Sequence, residues 1–346
     1  MATSPDSLLY LRSTQKDDNR SLVAFTVATQ MAVGMFTSAA VAVMTSAETS
    51  SLRGNDTALP MLIATSASLF LLGLLFSIAH VDHPRLFLTM ARNWRSSWLS
   101  REAIFAAVFL ILLLMFFLVH QPKYLPEWRY SCSSCSHSYL QSQPQARLTW
   151  FDAYLTLSIV VGLAFVGVQA MIYKLQSSLS WDHPHTVISF FATAVATGPP
   201  AVAMLLAVET WLGDIYLHTL WAPLPWLVKS AAAILFVIPL QLLIEVTYLA
   251  RLKELGEEAG ASYDVQTRKL KNFLLARIAL AAIILGLSVA TLVFRADLWP
   301  PYAAGASTVV IFFGALGEEL LGRYLFYYGV VPAKPSARYA EFFLGS

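Results

Sequence analysis

Charge is scarce in this sequence. Only 13% of the 346 residues are Asp, Glu, Lys or Arg, and 57% are hydrophobic, whereas soluble domains usually carry about 25% charged residues. Cysteine is rarer still, with two in the chain, too few for an iron–sulfur framework. No glycine-rich phosphate loop or nucleophile motif occurs. These absences argue against a soluble enzyme, a nucleic-acid partner and redox metals carried by this chain.

Histidines deep inside apolar segments are also missing. The seven histidines occupy positions 80, 83, 120, 137, 183, 185 and 218, at the ends of apolar runs or between them. A b-type haem within a helical bundle needs axial ligands at depth, usually histidines on facing helices. We therefore expect no haem.

The apolar residues form eight long runs. A run of about 20 apolar residues spans a bilayer as a helix. The sequence predicts an all-α, polytopic membrane protein, a bundle of eight transmembrane helices in a single domain, 1–346. The predicted spans are 22–46, 60–80, 103–120, 152–173, 185–208, 227–250, 272–294 and 303–328.

The distribution of Lys and Arg predicts the orientation. The termini and the connections 81–102, 174–184 and 251–271 together carry 15, against six on the opposite side. The positive-inside rule then places both termini in the cytoplasm, and we expect a bacterial inner membrane. The charged loop 251–271 is expected to be cytoplasmic, either a plain connection or a docking point for a soluble partner.

The long loop 121–151 is expected on the extracytoplasmic side and contains both cysteines. Cys132 and Cys135 either form a local disulfide, which that compartment permits, or are two unpaired loop thiols. With His137 they are too few for a structural zinc site. We therefore expect no metal site in this chain.

Ionisable groups within the predicted spans are candidates for function because they are costly in lipid. They are expected to gather at the cytoplasmic face rather than at mid-depth. Glu319 and Arg323 are four residues apart and predict either an ion pair on one helix face or a substrate contact. His80 is either a proton relay or a helix end-cap, and Glu102 either works with it or only begins a helix. Glu245, Arg277 and Glu318 also belong to the cytoplasmic set, and only Asp152 and Lys229 lie at the outer ends of spans.

With these residues in view, the chain resembles the membrane-anchor subunit of dimethyl sulfoxide reductase and its relatives, a family of molybdopterin oxidoreductase complexes. Four segments in order carry the resemblance: Phe25–Gly34; His80-x-x-x-Pro84 with Ser100-Arg101-Glu102; Tyr173 with Gly198-Pro199; and Gly317-Glu318-Glu319-Leu320-Leu321-Gly322-Arg323. Loop 121–151 looks expanded relative to that family.

The resemblance implies an anchor that holds a molybdopterin catalytic subunit and an iron–sulfur subunit at the membrane. The 4Fe-4S clusters and molybdopterin would lie in those partners only, and this chain would not act on the terminal substrate itself. It would bind a quinone, ubiquinone or menaquinone, as an exchangeable substrate and exchange electrons with it. The residues matching His80 and Glu102 are tied to quinone binding and proton relay. Further candidates for the quinone site are Arg85, Arg101, Glu319, Arg323, Gln30 and Tyr173.

The predicted orientation favours the cytoplasm-facing branch of this family, sulfite dehydrogenases that pass electrons to quinone. The alternative within the family is a sulfoxide or N-oxide reductase that oxidises menaquinol. Two other classes stay open: a secondary transporter, which usually binds its substrate at mid-depth between repeats, and a purely structural anchor.

Overall fold

The computed structural model describes residues 5–45, 58–79, 94–120, 144–174, 180–213, 224–255, 257–294 and 300–330. All of the regular structure within these ranges is helical. Eight helices are long and apolar enough to cross a membrane. The eight spans and the all-α fold predicted from the sequence are therefore confirmed.

The helices are numbered here in chain order. They are α1 Pro5–Thr45, α2 Ala58–Ala79, α3 Trp98–His120, α4 Pro144–Tyr173, α5 Pro184–Gly213, α6 Leu224–Glu254, α7 Glu257–Asp264, α8 Lys271–Val293 and α9 Pro301–Tyr328. The short helix α7 continues into a π-helical turn, Val265–Lys269. Several helices outrun their apolar spans, because backbone hydrogen bonding continues into the polar flanks.

Helix α1 lies at the centre of one half of the bundle. In its apolar window 72% of residues are buried, against 22% in α8, so α1 is enclosed by protein while α8 presents most of its surface outward. Helices α2, α4, α5 and α9 pack around α1. The core of this half includes three phenylalanines, Phe70, Phe109 and Phe165, whose neighbouring rings lie 5.0 Å apart in edge-on contacts.

A second apolar core joins α5, α6, α8 and α9. Small and branched side chains fill it, among them Ala192, Ile234, Ala281 and Ile311. Helices α5 and α9 contribute to both halves. The interface between these two helices is therefore where side chains from the two halves meet.

The crossing of α1 and α5 depends on two glycines. A Cβ on Gly34 would overlap the backbone carbonyl of Ala194, and a Cβ on Gly198 would overlap the backbone of Gly34. Small residues allow such close approach between membrane helices, where packing rather than the hydrophobic effect drives association. Pro199 and Pro200 follow directly within α5, and the neighbouring helix shields the backbone there from lipid.

The segment 251–271 is mostly helical rather than an extended connection. Helix α7 and the π-helical turn fold back against α6, and Ser262 and Gln266 are buried there. The Ser180 hydroxyl donates to Ser262 Oγ at 3.1 Å, which ties the α4–α5 connection to this segment. The charged side chains Asp264 and Arg268 stay exposed.

Gly34→Ala is expected to destabilise the protein by about 1–3 kcal/mol, because the added methyl must separate two helix backbones. Gly286→Ala is the matched control, since a Cβ at Gly286 meets nothing within 4 Å. The measurement is the denaturant-induced unfolding of both purified variants in detergent. Equal stability of the two variants would contradict the close α1–α5 crossing.

Candidate functional site: a buried polar network

Buried polar side chains from six of the eight membrane helices form a network of two neighbouring hydrogen-bonded groups, which border one cavity. Such groups are costly in an apolar interior unless they bond to one another. The members, from α1, α4, α5, α6, α8 and α9, are Gln30, Gln169, His185, Thr193, Gln241, Glu245, Arg277, Glu318, Glu319 and Arg323.

Arg277 of α8 lies at the centre of the ionic part. Its Nε donates to Glu318 Oε1 at 2.6 Å, and its Nη1 donates to Glu245 Oε2 at 3.2 Å. The same oxygen of Glu245 lies 2.9 Å from His185 Nε2. Glu318 is fully buried and Arg277 is 5% exposed, so these charges are compensated by one another rather than by water.

Thr193 of α5 connects Arg323 to Glu319. Its hydroxyl donates to Glu319 Oε2 at 2.7 Å and accepts from Arg323 Nη2 at 3.0 Å. Gln241 donates to the other oxygen of Glu319 at 2.9 Å. The expected i,i+4 ion pair between Glu319 and Arg323 is therefore indirect, because a hydroxyl from the neighbouring helix lies between the two groups.

A line of amides runs from Arg323 towards α3. Arg323 Nη2 donates to Gln30 Oε1 at 2.8 Å, and Gln30 Nε2 donates to Gln169 Oε1 at 2.7 Å. The Gln169 side chain also lies near the carboxyl of Glu102. Three of the sequence candidates, Gln30, Glu102 and Arg323, are thus brought together through Gln169.

Aromatic rings enclose the Arg323 end of this line. The Arg323 guanidinium carbon lies 3.7 Å from the centroid of the Phe190 ring, a cation–π contact that suits a buried cation. Tyr173, another sequence candidate, packs against Phe190 and Tyr327 with ring centroids 5.6 and 5.3 Å away. Tyr173 also interacts electrostatically with Glu102 and Arg323, so it belongs to the same site.

A small cavity lies between the ionic part and Arg323. Its volume is about 20 Å³, and its lining includes His185, Gln241, Glu245 and Arg323. A space of this size accommodates about one water molecule and is far too small for a quinone ring.

The ionisable side chains lie at different distances from the ends of their helices. Glu318 lies ten residues before the end of α9 at Tyr328, about 15 Å along the helix at ~1.5 Å per residue. That is roughly half of the ~30 Å hydrocarbon thickness. His185, by contrast, is the second residue of α5, so these groups extend inward from one end of the bundle.

Arg101 is separated from the other candidates. It is partly exposed, donates to the carbonyls of Trp94 and Arg95 at 2.9 and 2.7 Å, and stacks on Trp98 with its guanidinium carbon 4.3 Å from the ring centroid. These contacts hold the chain that leads into α3. Its position favours a structural role over contact with the Glu102 site.

Four sequence candidates lie outside the described residues: His80, Arg85, Cys132 and Cys135. No group of three metal-ligating side chains comes together within the described ranges. Sequence reasoning missed the partners Gln169, Thr193, Gln241 and His185. Gln169 and Gln241 could have been recognised as isolated amides within apolar runs, whereas nothing distinguished Thr193 from other threonines.

Eight apolar helices and a buried ionic network define a polytopic membrane protein. A family profile for the DMSO reductase anchor subunit (DmsC) matches residues 17–129 and 146–330. The chain belongs to this family, as the resemblance predicted, and is the membrane anchor of a DMSO reductase-type complex. Membership implies association with the catalytic and iron–sulfur subunits of such a complex. Residues 130–145, between the two matched ranges, lie within loop 121–151. A search of curated proteins with the whole chain found no match.

Arg277→Met is expected to destabilise the protein by about 3–5 kcal/mol, because Glu245 and Glu318 would lose their buried cation. Arg268→Met is the matched control. This substitution breaks the ion pair between Arg268 and Asp264. Their side chains are 79% and 52% exposed, and such exposed pairs contribute under about 1 kcal/mol to stability. Unfolding of both variants in detergent provides the comparison. A loss at Arg277 no larger than at Arg268 would show that the ionic cluster does not stabilise the fold.

Proposed function

We propose that this anchor binds quinone beside Glu102 and exchanges electrons between the quinone and the partner iron–sulfur subunit. The observation that carries the proposal is the Glu102 carboxyl. It is 7% exposed, and its Oε1 has no hydrogen-bond partner among the described residues. A buried, unsatisfied carboxylate oxygen marks a candidate functional site.

The surroundings of Glu102 suit a quinone. Gln169 and Gln30 offer amide hydrogen-bond groups, Arg323 provides a positive charge for anionic quinone forms, and Tyr173 adds an aromatic surface. Glu102 lies in the first turns of α3, on the chain segment that follows His80. His80 and Glu102 together would handle the two protons that accompany two-electron quinone chemistry, because histidine ordinarily titrates near neutral pH. Arg85 is a further candidate on the same segment of the sequence.

The cofactors follow from this assignment. The exchangeable quinone would be the only redox group bound by this chain, while the clusters and molybdopterin would stay in the partners. The absence of haem stays a prediction of the histidine positions. The buried ionic cluster keeps a secondary transporter open as the rival class, and a structural anchor without quinone is the other. Quinone that co-purifies with the complex would argue against both.

Sulfite oxidation with quinone as acceptor is the favoured activity of the complex, and sulfoxide or N-oxide reduction from menaquinol is the alternative. The support for sulfite oxidation is the excess of Lys and Arg on the side that bears loop 81–102. If the partner subunits and the quinone site share the cytoplasmic side, protons are released and taken up on one side. The reaction would then move no net charge across the membrane.

Glu102→Gln is expected to lower quinone-linked turnover of the assembled complex about 100-fold, because the amide cannot accept or release a proton. His80→Ala should have a similar effect. Turnover with a soluble artificial electron acceptor should persist in both variants, because that route bypasses the membrane. Glu254→Gln, at the exposed end of α6, is the matched control. Quinone turnover within about twofold of wild type in both site variants would remove these residues from the mechanism.

The orientation predicts that a reporter active only outside the cytoplasm is silent at the C-terminus and active within loop 121–151. Fusions at both places, compared at equal expression, provide the measurement. The reverse pattern would place the Glu102 side outside the cytoplasm, and sulfite oxidation would then give way to sulfoxide or N-oxide reduction.

A further inference from the structure

The ionic part of the network has an unequal number of charged groups. It contains three carboxylates, Glu245, Glu318 and Glu319, and two guanidinium groups, Arg277 and Arg323. Glu245 and Glu318 bond directly to Arg277, whereas Glu319 and Arg323 meet through the Thr193 hydroxyl. With neutral histidine the cluster carries one net negative charge. A net charge buried away from water is costly. An additional positive charge would therefore stabilise the cluster.

His185 is placed to supply that charge. Its Nε2 lies 2.9 Å from Glu245 Oε2, and its ring is 7% exposed and stacks on Tyr248 with centroids 4.5 Å apart and planes inclined by 8°. Histidine is the side chain that ordinarily gains a proton near neutral pH. In the neutral ring, Nε2–H donates to Glu245 and Nδ1 is the base that can accept a proton.

The charged and titratable groups around this site come from five elements. They are His183 before α5, Glu245, Tyr248 and Arg251 of α6, Arg277 of α8, Glu318, Glu319, Arg323 and Tyr327 of α9, and Tyr173 of α4. Burial, and then the charge of Arg251, lower the pKa of His183. His183 is therefore neutral at pH 7, and its Nδ1 accepts from the backbone N–H of His185 at 3.1 Å.

The cavity provides a place for water beside His185. Three buried atoms of its lining residues have no hydrogen-bond partner within the described part of the chain: His185 Nδ1, Gln241 Oε1 and Arg323 Nε. Their chemistry is complementary, because a water molecule can accept from Arg323 Nε–H and donate to Gln241 Oε1. The space of about 20 Å³ fits one such molecule.

We propose that His185 is a buried proton-exchange site, whose Nδ1 takes up one proton through water in the cavity and whose imidazolium balances the three carboxylates. Release of that proton to the same water restores the net negative charge. Arg323 also donates to Gln30, which lies on the Glu102 side. A proton bound at His185 therefore alters the electrostatic potential on that side. Only this last consequence rests on the proposed quinone function.

The test uses the whole complex, with nitrogen-15-labelled histidine in the anchor and no quinone added. Ring-nitrogen chemical shifts distinguish imidazolium from neutral imidazole, and the His185 signal is assigned by its loss in His185→Gln. In wild type we expect the imidazolium at neutral pH. Glu318→Gln removes one buried negative charge and should lower the His185 titration midpoint by about one pH unit or more, a tenfold loss of proton affinity.

Asp264→Asn is the matched control, since it removes an exposed negative charge and should shift the midpoint little because solvent screens it. Wild-type His185 that stays neutral down to about pH 5 would overturn the proposal, as would equal shifts in the two variants. If Glu318→Gln does not assemble, Glu319→Gln makes the same charge change. Because quinone is absent, a negative result in the Glu102 experiment leaves this measurement unaffected.

Discussion

The close contact between α1 and α5 is the constraint on which the network depends. Gly34 and Gly198 let two helix backbones touch, and this proximity places Gln30 of α1 2.8 Å from Arg323 of α9. Larger side chains at the crossing would push α1 away from α5, and Gln30 would move with α1. A packing requirement in an apolar region therefore determines whether the polar groups are satisfied.

The polar network also explains how the two halves of the bundle are held in register. Apolar cores on either side of α5 and α9 pack without directional preference, whereas hydrogen bonds from Thr193 and Arg323 require specific distances. In lipid, each polar group left without a partner is costly. A shift of one helix relative to another would break several bonds together, so the network selects a single arrangement.

The two ends of the polar network suit different chemistry. At one end, Glu102 and its amide neighbours lie near aromatic rings, which suits a flat, proton-coupled ligand. At the other end, His185, Glu245 and Arg277 surround a water-sized space, which suits exchange of a single proton. Arg323 contacts both ends. The family to which the chain belongs provides the anchor role, and this geometry supports the proposed distribution of proton chemistry along the network.

The eight spans, the all-α fold and the family were predictable from sequence, because runs of about 20 apolar residues have one stable structure in lipid. The list of buried ionisable residues was largely predictable as well. Their pairing was not: Arg277 contacts Glu318 and Glu245, and Thr193 separates Glu319 from Arg323. Such pairings depend on helix rotation and crossing distance, which local apolar patterns leave open. Only the tertiary structure decided which amides and hydroxyls completed the network and how deep it reached.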